Sequence, residues 1–373
     1  MSVSAALPRA GRLDCACEPG NLDRAAPDRG GLALLATGFA LSILSQVLTL
    51  SILPLAGLAF APSRGLSTLP FTAFYAGAAL ASLPASLLLD SFGRRAAFSL
   101  GACLGAAGGL VLVWALMAMH FGALVLGAFW LGTAAGFSLF YRHAAVPMGG
   151  RGQRAVLIVF GAATLAAVVA PTVATKAEAL AAPHAFVGIA AAAALAHVLT
   201  LVCTAALPYR RFRAASSGSA RPLQWRALAL PTGIGTVAWA LMTGLMGATP
   251  IAMVGCGLTD AIPGTVAWHI MAMYAPSLML ACLPNAIRPG HVLAVGSLLV
   301  GSATLIFGLS SNASGFSASA ILLGIGWSLA TLGTTLWIHN GGEPSRWQLG
   351  VHDGALLAGA LIGAFGAGAF VGP

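Results

Sequence analysis

Apolar segments of about 20 residues or more follow one another along almost the whole chain, and they decide what it can fold into. One α-helix needs about 20 apolar residues to cross the hydrocarbon core of a membrane. Because that core offers no water, each backbone polar group must be bonded within its own segment, as in a helix. Charged residues make up only 7% of the 373 residues, against roughly a quarter in soluble domains. The sequence therefore predicts an all-α, polytopic membrane helical bundle and excludes an ordinary soluble protein.

Eleven such segments can be delimited, and two polar stretches organise them. The predicted segments are 32–60, 68–89, 96–119, 121–141, 155–175, 184–207, 227–250, 262–286, 291–310, 315–338 and 348–371. Residues 1–31 are expected to form a polar tail without a removable signal peptide. Residues 208–226 form a polar, basic linker after the sixth segment. The chain is thus predicted to have a six-helix half, 32–207, and a second half of five helices, 227–373.

Positive charge is distributed very unevenly between the two sides of the predicted bundle. If the N-terminus is cytoplasmic, all of the 18 lysines and arginines except Arg64 and Lys176 fall on the cytoplasmic side. Cytoplasmic loops of membrane proteins carry this excess. We therefore predict a cytoplasmic N-terminus and linker, and an external C-terminus. The same distribution accounts for the net charge of +9 without a nucleic-acid partner.

The connection between the second and third segments carries a recognisable motif, Ser86-Leu-Leu-Leu-Asp90-Ser-Phe-Gly93-Arg94-Arg95. Gly93 permits a sharp turn, and Asp90 can pair with an arginine or cap a helix start. The motif resembles the loop signature of the major facilitator superfamily, with serine in place of the leading glycine and of the first arginine. Residues 285–290 resemble a degenerate second copy.

The resemblance implies a secondary transporter with the fold of that superfamily, in which Asp90, Gly93, Arg94 and Arg95 form a structural and gating motif. Members usually have twelve spans, so the chain is expected to lack the twelfth helix and to have a six-plus-five arrangement. No phosphate loop of the Gly-x-x-x-x-Gly-Lys type is present, and no catalytic triad spacing is found. We therefore expect a protein that is not an enzyme and is not driven by ATP.

Methionine is concentrated in the second half, where six of the ten lie between Met242 and Met279. Residues four apart share a helix face, so Met242 pairs with Met246 on the seventh segment, and His269 with Met273 on the eighth. Counted from the outer helix ends at about 1.5 Å per residue, Met242 is about 12 Å deep and His269 about 10 Å. Thioether sulfurs select Cu(I), and imidazole accepts copper. A histidine within a span is a functional candidate, whereas methionines can also be packing residues.

The two spacings resemble those of CcoA-type copper importers, a family within the superfamily. The resemblance implies copper import, as Cu(I), across a bacterial inner membrane for assembly of cbb3-type cytochrome oxidase. Met242, Met246, His269 and Met273 would bind the ion. The expected partners are copper, the lipid bilayer and a cytoplasmic copper chaperone, and no organic cofactor is expected.

Other residues are weaker candidates. Met253 and Cys256, expected in the loop after the seventh segment, and Cys15 with Cys17 in the tail are candidate accessory copper ligands; a plain loop and tail are the alternatives. The remaining predictions concern charged residues at segment ends. Arg142 and His143 are expected as an interfacial anchor and gate, and Asp353 as a favourable charge at a helix N-terminus, with a coupling role as its alternative.

Two other functions stay open at this point. One is an efflux pump for small organic compounds, in which the methionines would line an adaptable apolar cavity. The other is a membrane scaffold that transports nothing, which a missing twelfth helix would allow.

Overall fold

The structure, a computed structural model, describes residues 29–146, 152–208, 223–283 and 287–368, and it is built from α-helices. The helices are α1 (Arg29–Phe60), α2 (Leu69–Met117), α3 (Phe121–Ser138), α4 (Phe140–Ala145), α5 (Gly152–Gly161), α6 (Ala163–Ala181), α7 (Val187–Ala205), α8 (Trp225–Gly255), α9 (Ile262–Ala281), α10 (Pro289–Leu309), α11 (Ala313–Gly341) and α12 (Arg346–Gly368). Almost all of the predicted tail, most of the linker and residues 369–371 of the last predicted segment lie outside the described residues.

Nine helical stretches of the described chain are long and apolar enough to cross a membrane. One of them, 64–117, has 54 residues, about twice a single crossing. It is broken at Gly93, whose φ of 79° and ψ of 172° are not helical, so this stretch supplies two crossings. Each of the eleven predicted segments overlaps a helix, which confirms the all-α membrane bundle. The 20-residue α9 is not among the nine, and a total of eleven crossings stays a prediction.

The two halves of the bundle repeat one another in their central helices. Helices α1 and α8 have 32 and 31 residues. Buried, half-buried and exposed positions follow the same order along residues 31–50 as along residues 231–250. In this repeat, Ser42 and Gln46 of the first half correspond to Met242 and Met246 of the second. At these two equivalent positions, thioethers therefore occur only in the second half.

Contacts between the halves run along two seams. Helix α2 packs on α12, and α9 packs on α5 and α6. At the first seam, the Ser82 hydroxyl donates to the Gly350 carbonyl (3.2 Å), and the Ser86 hydroxyl donates to the Arg346 carbonyl. The seam reaches the end of the bundle that holds the break in α2 and the connection between α11 and α12. We call this end the Gly93 end.

Within the first half, glycine brings α2 and α3 into backbone contact. A Cβ atom added at Gly132 would lie 1.8 Å from the Phe74 carbonyl oxygen, and one added at Gly77 would lie 2.1 Å from that of Phe129. Small residues permit such close approach between membrane helices. The separation of these two helices is therefore set by the absence of two side chains.

Replacing Gly132 by alanine should destabilise the fold by about 2–3 kcal/mol, because the backbone of α2 must move away. Thermal unfolding of the purified protein in detergent measures this. Gly301→Ala on α10 is the matched control, since no atom lies within 4 Å of a Cβ at that position. Equal melting temperatures for the two variants would contradict the backbone contact.

Candidate functional site

The paired methionines of the seventh predicted segment lie in the middle of α8. Met242 is buried, with 6% of its surface exposed, and Met246 is half-buried. Both pack against the apolar core of the bundle. Helix α8 continues to Gly255, five residues beyond the predicted end. Both thioethers therefore lie deeper in the bundle than the sequence indicated.

His269 on α9 is buried and bound to the neighbouring helix α11. Its Nδ1 atom is 2.7 Å from the carbonyl oxygen of Ala320. A carbonyl oxygen can only accept, so Nδ1 carries the proton and the neutral ring keeps its lone pair on Nε2. Metal-binding histidines commonly have their other ring nitrogen held in this way. Met273, one turn further along α9, is half-buried.

The two pairs lie at overlapping depths but on helices that do not pack along one another. Helix α11 contacts both α8 and α9, whereas α8 and α9 have at most isolated contacts. Counted from Gly255, Met246 and Met242 are about 13 and 20 Å deep; counted from Ile262, His269 and Met273 are about 10 and 16 Å deep. The expectation of directly neighbouring helices was wrong, because α11 lies against both. The four-residue copper site stays a prediction.

The candidate accessory ligands have different surroundings. Met253 lies within the last turns of α8 and is 0% exposed, so its expected place in an external loop was wrong. Cys256 follows the helix and is exposed. Cys15 and Cys17 lie outside the described residues. In the described ranges, no three histidine, cysteine or acidic side chains form a metal-binding group.

The motif between the second and third crossings adopts the predicted turn. Gly93 has a positive φ of 79°, which confirms the role expected of this glycine. Asp90 interacts electrostatically with Arg346, the first residue of α12. Arg94 is buried and Arg95 is exposed. The motif thus connects the two halves at the Gly93 end.

A row of seven aromatic side chains that crosses from one half to the other was not predicted. The row consists of Phe98, Tyr141, Phe39, Phe160, Tyr274, Trp327 and Trp239. Its ring centroids are 4.0–6.0 Å apart, and the Phe160–Tyr274 contact, at 5.2 Å, joins the halves. The Trp239 indole N–H donates to Thr331, while that of Trp327 is buried with no partner in the described ranges. The rings come from seven helices, so no local spacing signals the row.

A buried group of charged and imidazole side chains also joins the halves, near the Gly93 end. Arg142 donates through Nη2 to Asp353 and through Nε to the Thr335 hydroxyl at 3.0 Å. Nε2 of His143 lies 3.2 Å from Asp353 Oδ2, and its Nδ1 lies 3.0 Å from Nε2 of His339. We call Arg142, His143, His339 and Asp353 the charge network.

The charge network corrects two expectations from the sequence. Arg142 and His143 are 1% and 3% exposed instead of lying at the interface, because α4 ends against the second half. Asp353 lies about two turns into α12 and is fully buried against Arg142 instead of lying at the helix N-terminus. Both residues end up in an ion pair that sequence order does not reveal.

Comparisons with known proteins agree with this architecture. The chain is 30% identical over 356 residues to the riboflavin transporter RfnT of Brucella anthropi. The alignment covers 92% of this chain and 89% of that protein. The crystal structure of the human organic anion transporter MFSD10 superposes with a TM-score of 0.69 at 17% identity, over 92% of this chain and 93% of that one.

Two further solved structures have the same fold. FucP, a major facilitator superfamily transporter in the outward conformation, superposes with a TM-score of 0.63 at 14% identity, over 92% of this chain and 97% of that one. The Escherichia coli fucose:proton symporter FucP with the N162A substitution superposes with a TM-score of 0.60 at 13% identity, over 91% of this chain and 95% of that one. No protein-family model matches the chain.

Removing one member of the buried ion pair should cost more stability than removing both. Arg142→Met leaves Asp353 as an uncompensated buried charge, and we expect a loss of about 3–5 kcal/mol. The double variant Arg142→Met, Asp353→Leu should recover much of it, since no charge is left unpaired. Thermal unfolding of both variants, with the exposed Arg95→Met as control, tests this. A double variant less stable than the single one would contradict the pairing.

Proposed function

Since the chain belongs to the major facilitator superfamily of secondary transporters and is not an enzyme, we propose that its cargo is copper, taken up as Cu(I). The methionine and histidine pairs of α8 and α9 would bind the ion. This cargo is that of the CcoA-type importers that the two spacings resemble. The superfamily moves its substrates by exposing one site alternately to the two sides of the membrane.

The orientation of His269 is the observation that carries the proposal. Its bond to the Ala320 carbonyl fixes the proton on Nδ1 and presents Nε2 as a donor atom. This bond satisfies the buried N–H, as any core histidine requires, and it also leaves the lone pair of Nε2 for a metal ion. Three thioethers on the same two helices add soft donors, and such a set favours Cu(I) over zinc, which prefers thiolate or carboxylate.

The separation of α8 from α9 gives the site a way to open and close. Helix α9 packs directly on α5 and α6 of the other half, whereas α8 packs on α12 of its own half, which in turn contacts α2. A movement of the halves that shifts these seams would change the distance between the methionine pair on α8 and the histidine–methionine pair on α9, since both helices contact α11. Neutral donors would hold the ion without a bound anion, which suits release.

The orientation follows from the distribution of arginine. We propose eleven crossings, a cytoplasmic N-terminus and a place in the bacterial inner membrane, so that the Gly93 end faces the cytoplasm. Copper would enter from the opposite end, near Cys256, and leave at the Gly93 end toward a cytoplasmic copper chaperone. Delivery to cbb3-type cytochrome oxidase is part of this proposal.

Met242→Ala and His269→Ala should each lower the initial rate of copper uptake by about tenfold or more, because each removes a ligand. Uptake of radioactive copper under reducing conditions into proteoliposomes measures this. Met279→Ala is the matched control, since Met279 is on α9 and 73% exposed. Uptake by all three variants at the wild-type rate would refute the site, and vesicles that take up no copper with the wild type would refute the cargo.

A planar heteroaromatic compound such as riboflavin is the second candidate cargo. Two observations favour it: the row of aromatic rings between the halves, and the 30% identity to a protein named as a riboflavin transporter. Flat rings bind by stacking on such side chains. The buried indole N–H of Trp327, without a partner in the described ranges, could donate to a polar edge of the compound.

Under the second candidate, Trp327→Leu should lower riboflavin uptake by about tenfold, since one stacked ring contributes about 1–3 kcal/mol. The control is Trp268→Leu on α9, whose side chain is 60% exposed. Uptake of riboflavin and of copper is measured in the same vesicles. Copper uptake without riboflavin uptake excludes this candidate, and the reverse result excludes copper.

A further inference from the structure

Helices α9 and α11 run side by side along the part of α9 that carries His269, and we call this contact the α9–α11 seam. Three pairs of residues on successive turns meet along it: Thr265 with Ser317, His269 with Ala320, and Ala272 with Gly324. The two hydroxyls of the first pair are 2.7 Å apart, and Nδ1 of His269 is 2.7 Å from the carbonyl oxygen of Ala320. The members on each helix are three or four residues apart, so they share one helix face. The imidazole is therefore held in the middle of a regular seam.

The third pair of the α9–α11 seam leaves no room for a side chain on α11. Gly324 is buried, and a Cβ atom added to it would lie 2.6 Å from the His269 carbonyl oxygen and 2.9 Å from Cβ of Ala272. Both distances are shorter than real Cβ contacts. The carbonyl oxygen belongs to the backbone of α9, so it cannot turn aside. A side chain at position 324 would therefore push α11 away from α9 at the residue that carries the imidazole.

The missing side chain also leaves the carbonyl oxygen of Ala320 open to α9. In an α-helix, this oxygen accepts the N–H of the residue four positions on, which here is Gly324. A carbonyl oxygen has a second lone pair, and this is the one that His269 uses. The side chain of a helical residue covers the turn that precedes it, so a side chain at position 324 would lie over the turn of Ala320. Glycine therefore keeps this oxygen accessible to a neighbouring helix.

The distance between the two helices decides which nitrogen of His269 carries the proton. A carbonyl oxygen can only accept, so the bond to Ala320 keeps the proton on Nδ1. If α11 lay further away, this N–H would lose its partner, and a buried donor without a partner costs free energy. The ring would then turn or take the other tautomer. In that tautomer Nε2 carries the proton and has no lone pair for a metal ion.

We propose that Gly324 is a positioning residue of the candidate copper site. Because it has no side chain, it brings the Ala320 carbonyl within reach of Nδ1 of His269 and so leaves the lone pair of Nε2 for the ion. This inference rests on the proposed function and adds a residue that touches no copper. Gly324 lies on α11, outside the methionine and histidine spacings of α8 and α9, and it acts only through His269.

The first test determines the tautomer of His269 in the metal-free protein. The ring nitrogens of all eight histidines are labelled with ¹⁵N, and the signals of His269 are identified by their loss in His269→Ala. The protonated and the unprotonated nitrogen of a neutral imidazole differ clearly in ¹⁵N shift, so NMR in detergent shows which one carries the proton. We expect the proton on Nδ1 in the wild type. A proton on Nε2 would overturn the proposal, even if no variant folds.

Gly324→Ala is compared with Gly326→Ala, a matched control on the same helix. A Cβ atom at Gly326 would lie 2.8 Å from the Val300 nitrogen and 2.9 Å from the Gly296 carbonyl oxygen, so the crowding is similar but falls on α10. Both variants should lower the melting temperature. Only Gly324→Ala should move the proton of His269 from Nδ1 to Nε2, in part or all of the molecules. The same His269 signals in both variants as in the wild type would overturn the positioning role.

The second test measures the affinity of the purified protein for Cu(I). Competition with a chromogenic Cu(I) chelator under reducing conditions gives the dissociation constant without any transport. Loss of the group that orients a metal-binding histidine commonly weakens metal binding about 10–100-fold, so Gly324→Ala should weaken Cu(I) binding by about tenfold or more. Gly326→Ala should bind Cu(I) as tightly as the wild type. Equal affinities of the two variants would overturn the positioning role.

The positioning role and the proposed function fail in different ways. If the wild type binds no Cu(I) while the tautomer of His269 still depends on Gly324, the α9–α11 seam sets the tautomer as proposed and the copper cargo is overturned. If the wild type and both variants bind Cu(I) equally and keep one tautomer, the role of Gly324 is overturned and copper binding stands. A tautomer that changes without a change in affinity would overturn His269 as a ligand, and Gly324 with it.

Discussion

The ion pair between Arg142 and Asp353 ties the two halves together, and the interior of the bundle makes it an all-or-none contact. Opposite charges in an apolar interior are tolerated only as a pair, because either one alone would be stranded far from water. The halves must therefore be closed at the Gly93 end with the pair intact, or open with both groups hydrated or one neutralised. Together with the serine contacts from α2 to α12, the pair joins the two halves at the Gly93 end.

Helix α11 connects this contact to the proposed cargo site. Its Ala320 carbonyl holds His269, its Trp327 lies in the aromatic row, and its His339 ends the charge network. The first and last of these residues are about 28 Å apart along a helix. A tilt of α11 would thus act on the imidazole of α9 and on the charge network at once. Under the proposed function, this shared helix would link release of the ion to the opening of the Gly93 end.

Features set by local sequence could be predicted, and features set by packing could not. The apolar segments, the turn at Gly93 and the helical pairing of Met242 with Met246 depend on neighbours within a few residues. The end of α8 was misplaced by five residues because Met253 and its neighbours read equally well as a loop. The charge network needs residues about 200 positions apart to meet, and the position of α11 against both α8 and α9 follows from a spatial order that differs from the chain order.

The repeat between the halves helps to separate packing from chemistry at the methionines. The first half, with the same burial pattern, places Ser42 and Gln46 where the second places Met242 and Met246. Gln46 donates to the Ser138 hydroxyl at 2.8 Å, so a hydrogen-bonding pair fits this helix position. The fold therefore does not demand thioethers here. Because packing alone accepts either kind of side chain, the fold leaves these two positions free to differ between the halves, as the proposed Cu(I) ligands of the second half require.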